Sequence, residues 1–297
     1  MAQVPIIPLP RNFYGDTMPQ VIHQLISSCD RKLPKELWID FSTLDFTRPS
    51  GVVFISNLIQ WLDAKGTKVV LEGLSPHRQS NKFLDDALFF EQHLGTKLRP
   101  YSSPRPTTIP LKKVTQAESH GWLEMDLTPW LSNHFSVPES SLREFRVCLS
   151  ELFNNIADHT CCEIGSIFCQ YYPNEGRILI SVADFGAGIP SVVRRFSPKI
   201  SSIDAILKAT EDGFTTKTSP RNRGAGLHYL LQNVVLRNGG SVTIYSHNGI
   251  VSFKKEGERI CPHPRVVSGF SPGTLFDIEF RKDTIEVLDD EEEDFEW

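Results

Sequence analysis

The stretch from residue 37 to residue 95 constrains the fold most, because its apolar patterning alternates between short runs and longer helical segments. "LWIDFSTL" and "KVVLEGL" are short apolar runs, whereas "GVVFISNLIQWLDAKG" and "KFLDDALFFEQHLG" carry helical spacing and close on glycine. Short runs bounded by turn formers read as buried strands, and the longer segments with a terminal glycine read as helices. Upstream, "VPIIPLP" suits an edge strand and "MPQVIHQLISSC" an amphipathic helix. Strands alternating with helices of this length build an α/β layer.

Residues 99–113, "RPYSSPRPTTIPLKK", are dense in Pro, Ser and Thr and read as a linker or domain edge. Beyond them the pattern changes. "DLTPWLSNHF" and "SLREFRVCLSELFNNIADHT" read as two helices joined through "SVPESS". The strand candidates "SIFCQYY", "GRILISVADF", "SVTIYSHNG" and "GTLFDIEFRK" follow, so this half reads as α+β, helices on a mixed or antiparallel sheet. The expected division is therefore 1–104, 105–283 and a tail at 284–297 within the 297 residues, a length with room for two domains.

Charge supports that division. Nine of the 36 acidic residues and none of the 31 basic ones lie at 283–297, which leaves residues 1–282 net positive by four. "DDEEEDFEW" reads as a solvated, disordered tail, either merely solubilising or a docking strip for a basic partner with Phe295 and Trp297 as anchors. No basic stripe with interleaved aromatics argues for nucleic acid, and no apolar run is long enough for a membrane span. The six cysteines show no paired C-x-x-C spacing. Adjacent Cys161 and Cys162 beside His159 make poor tetrahedral ligands, so the thiols read as reduced and the protein as cytoplasmic.

Four segments of the second half carry residues that their settings do not explain. In "SELFNNIADHT", Glu151, Asn155 and His159 recur every fourth residue beside an apolar stripe, which places Glu151 and His159 about 12 Å apart on one helix face. "DFGAGIP" (184–190) sets an acid and two glycines directly after a strand. "RNRGAGLHYLLQNVV" (221–235) opens a helix on a glycine pair, and "SPGTLFDIEF" (271–280) leads a Gly-Thr into the last strand. Glycines permit close backbone approach, and a helix beginning after them points free amides at an anion. An Asn oxygen can hold Mg²⁺, which keeps waters and bridges phosphates. A carboxylate one turn earlier is placed to accept a proton.

In that order the four segments resemble the N-box, two glycine boxes and Gly-Thr of the GHKL superfamily of ATP-binding domains, over roughly residues 118–282. The resemblance implies Glu151 as general base, Asn155 as the Mg²⁺ ligand, Asp158 beside it, and Asp184 as the acid that reads adenine with Thr274. It implies Gly186 and Gly188 along the cleft, and Gly224, Gly226 and Leu227 as a phosphate cradle. "GFTTKTSPRNRGAGL" is similar to the lid of the kinase branches, with Lys217 and Arg223 as γ-phosphate contacts; alone, Lys217 reads as an ordinary solvated lysine. His159 reads either as a capping or core imidazole or as a catalytic one.

The helix pair 126–159 resembles the anti-sigma-factor serine kinases more than the other branches. The first hundred residues resemble the STAS fold of anti-sigma-factor antagonists, whose phosphoacceptor lies just before a Gly at a helix N-terminus. Ser50 in "TRPSGV" holds that place, with Arg48 and Pro49 where an acid and a small residue are usual. It reads either as a helix cap or as a phosphoacceptor. The expectation is an ATP- and Mg²⁺-dependent serine/threonine protein kinase with a protein partner, a homodimer being compatible with it. A nucleotide-gated interaction module and a slow ATPase are the alternatives.

Overall fold

The computed structural model describes residues 4–28, 33–113, 116–159, 165–214 and 226–285, without the side chains of 116, 117, 119 and 155–159. Its first sheet has three parallel strands: β1 (Ile6–Pro8), β3 (Glu36–Asp40) and β5 (Lys68–Glu72), in the order β1-β3-β5. The minor pair β2 (Asn12–Phe13) and β4 (Phe46–Thr47) lies beside it. Helices α1 (Thr17–Ser28) and α2 (Pro49–Ala64) make the crossovers, as the alternating pattern requires. The expected 82–95 helix is broken. α3 (Gln79–Asp86) and α4 (Phe89–Leu94) are separated at Leu88, which adopts φ +63° while Phe89 and Phe90 turn into the core.

The second sheet has five antiparallel strands in the order β6-β7-β8-β10-β9. These are β6 (Thr108–Lys113), β7 (Gly165–Tyr172), β8 (Arg177–Asp184), β9 (Ser241–Glu256) and β10 (Arg259–Arg281). The linker reading of 99–113 thus needs correction, because its second half is an edge strand. Ile109 and Leu111 are both buried there, each toward a different core. β9 and β10 continue past the expected strands into a long hairpin, whose register shifts between Val266 and Leu275.

Strand alternation sends neighbouring side chains to opposite faces. On one face Ile178, Ile180, Val182, Phe276, Ile278 and Phe280 meet the helices. These are α5 (Gln116–Trp122), α6 (Thr128–Phe135), α7 (Arg143–His159), α9 (Ser202–Ala209) and α10 (Gly226–Leu231), with α8 (Gly188–Val193) beside them. Two π-helical segments, Leu123–Leu127 and Gln232–Arg237, bridge this layer. α7 buries Phe145, Cys148, Leu149, Leu152 and Phe153, spaced for one helix stripe.

The opposite face is covered as well. α2 lies along β7 and β8, enclosed between the two sheets, and α1 packs its one buried stripe beside β10. α2 is accordingly buried around almost its whole circumference from Pro49 to Ile59. One hydrophobic cluster joins Val52, Phe54 and Leu58 with Phe168, Phe185, Tyr245 and Leu275, across the expected boundary at residue 104. The result is four layers, sheet–helix–sheet–helix. No helix among the described residues is long and apolar enough to cross a membrane.

Candidate functional site

The site begins at the end of β8. The strand's alternation turns Asp184 toward the helical face that carries α7, and leaves it 7% exposed at the strand's last residue. Its Oδ1 accepts the Gly186 amide at 2.7 Å, and the Thr274 amide on β10 also bonds the carboxylate. Burial pushes its carboxyl up to about 7, against the pull of those two amides. A buried acid that titrates near neutrality can present an acceptor to a ligand at little further cost of desolvation. That is the chemistry needed to receive an amino proton.

The loop after Asp184 is held close to β9 and β10. Gly188 has φ +75°, and a Cβ there would lie 2.7 Å from the Gly273 carbonyl and 2.8 Å from Ser246 Oγ. Gly273, at φ +64°, would place a Cβ 2.5 Å from the Asp184 carboxylate itself. Glycine at both positions is what allows the two loops to meet at the acid. Ser246 Oγ donates to the Gly273 carbonyl at 2.6 Å, accepts the Ile189 amide at 3.2 Å, and lies 3.4 Å from Thr274 Oγ1. Asp184, Gly186, Gly188 and Thr274 are therefore brought together.

Two neighbours escaped the sequence reading. Ser246 is the hub just described, and His247, at φ +54°, holds the same loop. Its Nε2 lies 3.0 Å from the Ala187 carbonyl and its Nδ1 3.4 Å from Arg194 Nη1. Burial lowers its pKa, with Arg194 adding to the effect and the Ala187 contact opposing it. A neutral ring with Nε2–H donating to Ala187 satisfies both contacts.

Glu151 is exposed on α7, and Asn155 follows one turn later on the same helix. The side chains of Asn155, Asp158 and His159 lie outside the described residues, as do Lys217, Arg223 and Gly224. Gly226 begins α10, and Leu227 packs on the same core as α7. Among the described residues no group of three or more His, Cys, Asp or Glu forms a metal cluster. An Asn ligand with waters and phosphate oxygens would need no such cluster.

Ser50 lies just before Gly51 at the start of α2, and it does not cap the helix. Arg48 is the N-cap of α2 and no side chain caps it, so Ser50 lies inside the first turn. It is 1% exposed and faces Asp277 on the far side of the sheet. In this arrangement its hydroxyl is closed to an outside kinase.

No curated protein matches the chain. Residues 119–235, which take in α7, Asp184, Gly186, Gly188 and α10, match the family model of the histidine kinase-like ATPase domain.

Proposed function

We propose that the chain is an ATP-binding regulatory protein of the anti-sigma serine/threonine kinase type, acting on a protein partner. The observation that carries the ATP reading is Asp184: a buried carboxylate at the end of a strand, with two glycine-bearing loops and Thr274 closed around it. The domain match over 119–235 supports the same ligand. In this reading Asp184 accepts the adenine amino group, Thr274 assists, and Gly186 and Gly188 admit the base. Asn155 would hold Mg²⁺, which would supply positive charge to offset that of the phosphates. Lys217, Arg223, Gly224, Gly226 and Leu227 would supply the phosphate contacts. Glu151 takes the proton of the attacking serine or threonine hydroxyl as its oxygen bonds to the γ-phosphorus and the bond to ADP breaks. A STAS-like module over 1–104 is part of the same proposal.

The burial of Ser50 favours a second reading, a nucleotide-gated interaction module in which residues 1–104 serve as a fixed layer rather than as substrate. One measurement tests the ATP binding that both readings share, and a second separates them. Asp184→Asn should weaken ATP on the order of tenfold to a hundredfold, because an amide can present a donor where an acceptor is needed. GTP should bind the wild type poorly. Equal affinity for both nucleotides, unchanged in the variant, would remove the adenine assignment. With γ-labelled ATP and candidate partners, label on a Ser or Thr that is lost in Glu151→Ala supports the kinase. ATP binding without transfer, with partner affinity set by the nucleotide, supports the gated module.

A further inference from the structure

Asp184 is bracketed from behind by one helix. Its neighbours Ala183 and Phe185 point to the opposite face of the sheet, where α2 lies. Asn57 Nδ2 donates to the Ala183 carbonyl at 2.9 Å, and the Phe54 ring meets the Phe185 ring edge-on with centroids 5.5 Å apart. The grip extends sideways. Ser166, opposite Ala183 on β7, lies 3.3 Å from Ser56 Oγ and 3.2 Å from Gln60 Nε2. Leu275, opposite Ala183 on β10, belongs to the same buried cluster as α2. α2 therefore holds one row across three strands, Ser166–Ala183–Leu275. The next row, one residue or about 3.3 Å away, contains Asp184 and Thr274.

We infer that α2 is a working part of the nucleotide site: Asn57 and Phe54 position the end of β8, so that docking of the N-terminal helix layer and binding of nucleotide reinforce each other. The inference rests on the ATP reading above. Asn57 is the telling residue. It is fully buried, and its Oδ1 has no partner, so an apolar side chain would fill the same space without an orphaned acceptor. What an apolar side chain lacks is the donor to Ala183. Asn57 and Phe54 do not reach the cleft; they act through the residues on either side of Asp184. Because coupling between two binding events is reciprocal, whatever loosens α2 weakens nucleotide, and nucleotide tightens α2.

The test uses the full chain and Mg²⁺-ATP, with GTP as competitor. Asn57→Leu and Phe54→Leu should weaken ATP by about five- to a hundredfold and reduce the preference for ATP over GTP. Phe90→Leu is the control, since its ring packs on Phe41 and Phe89 inside the N-terminal layer. It should lose stability while keeping wild-type affinity and preference. Amide exchange of the wild type, with and without a non-hydrolysable ATP analogue, reads the coupling without any substitution: exchange in α2 should slow on binding. Wild-type affinity and preference in Asn57→Leu, an equal loss in Phe90→Leu, or exchange in α2 that ignores the analogue would each overturn the inference. A wild type that binds no ATP would overturn the ATP reading as well, which distinguishes the two failures.

Discussion

Asp184 is a buried carboxylate and Asp277 a partly exposed one; they lie on adjacent antiparallel strands and face opposite sides of one sheet. Burial pushes Asp184 up to about 7, against the Gly186 and Thr274 amides. It pushes Asp277 up to about 6, against the Ser181 and Ser50 hydroxyls and the charge of Arg48. The partners make the difference. Asp184 is held by backbone amides of two loops, so its environment is set by the chain path. Asp277 is held by side-chain hydroxyls of the neighbouring strand and of α2, at the seam between layers. Of the two, the acid held by backbone groups at a strand end is the better candidate for ligand reading.

Core truncations on the two sides of the sheet probe this comparison with the largest effects. Phe153 packs edge-on against Trp122 beneath α7, and Leu58 lies on α2 in the other cluster. Phe153→Ala should cost about 3–5 kcal/mol and Leu58→Ala about 2–5 kcal/mol. Both should lower a single unfolding transition, because the second cluster runs through the sheet's own residues Phe168, Phe185 and Leu275. Two separated transitions in chemical denaturation of Leu58→Ala would instead make the N-terminal layer an independent domain that merely leans on the sheet.

The acids themselves come next. A carboxyl whose folded pKa is raised stabilises the fold fully below its unfolded value near 4, and that contribution is lost as pH rises through the folded value. The ligand-free protein should therefore lose stability through about pH 6 for Asp277 and about pH 7 for Asp184. If adenine requires ionised Asp184, ATP affinity should fall about tenfold per pH unit below 7. Titration of ATP itself cancels when the same series is run on Asp184→Asn, which should be flatter by that amount. Asp277→Asn should keep the wild-type affinity profile while flattening the stability curve at its acid end. Matching profiles in all three proteins would erase the distinction drawn between the two carboxylates.

The sequence carried more of this than a two-domain reading extracts. The α/β alternation was legible because strand and helix periods differ, and the edge strand "VPIIPLP" because its prolines leave little to pair. Asp184, Gly186, Gly188 and Thr274 were legible as motifs. The covering of the second sheet on both faces also left a trace: in "RILISVAD" only Ser181 interrupts the apolar run before Asp184. A sheet with one wet face would alternate. β6 was obscured by the Pro- and Thr-rich run it emerges from, and the break at Leu88 by tertiary demand for two adjacent phenylalanines. Ser246 and His247 carry no motif, since their role depends on a loop that reaches them from some sixty residues away.

The hairpin arm offers the smallest effect and a check on what attaches the N-terminal layer. Arg265 pairs with Asp16 at 2.9 Å, but their side chains are 53% and 44% exposed. Water and salt screen such a pair, and holding both side chains in register costs entropy, so Arg265→Ala should cost no more than about 1 kcal/mol. The arm's closer contact is steric. At Gly269 a Cβ would lie 2.3 Å from the Pro19 carbonyl of α1, so the backbones of β10 and α1 meet there with no space for a side chain. Gly269→Ala must push the arm away from α1 and should therefore lower the melting temperature more than Arg265→Ala does. If attachment is steric, raising the salt concentration should leave the wild-type melting temperature nearly unchanged, since packed contacts are not screened. A larger loss in Arg265→Ala than in Gly269→Ala, or a wild type that softens with salt to the level of Arg265→Ala, would mean that charge rather than close packing seats the layer.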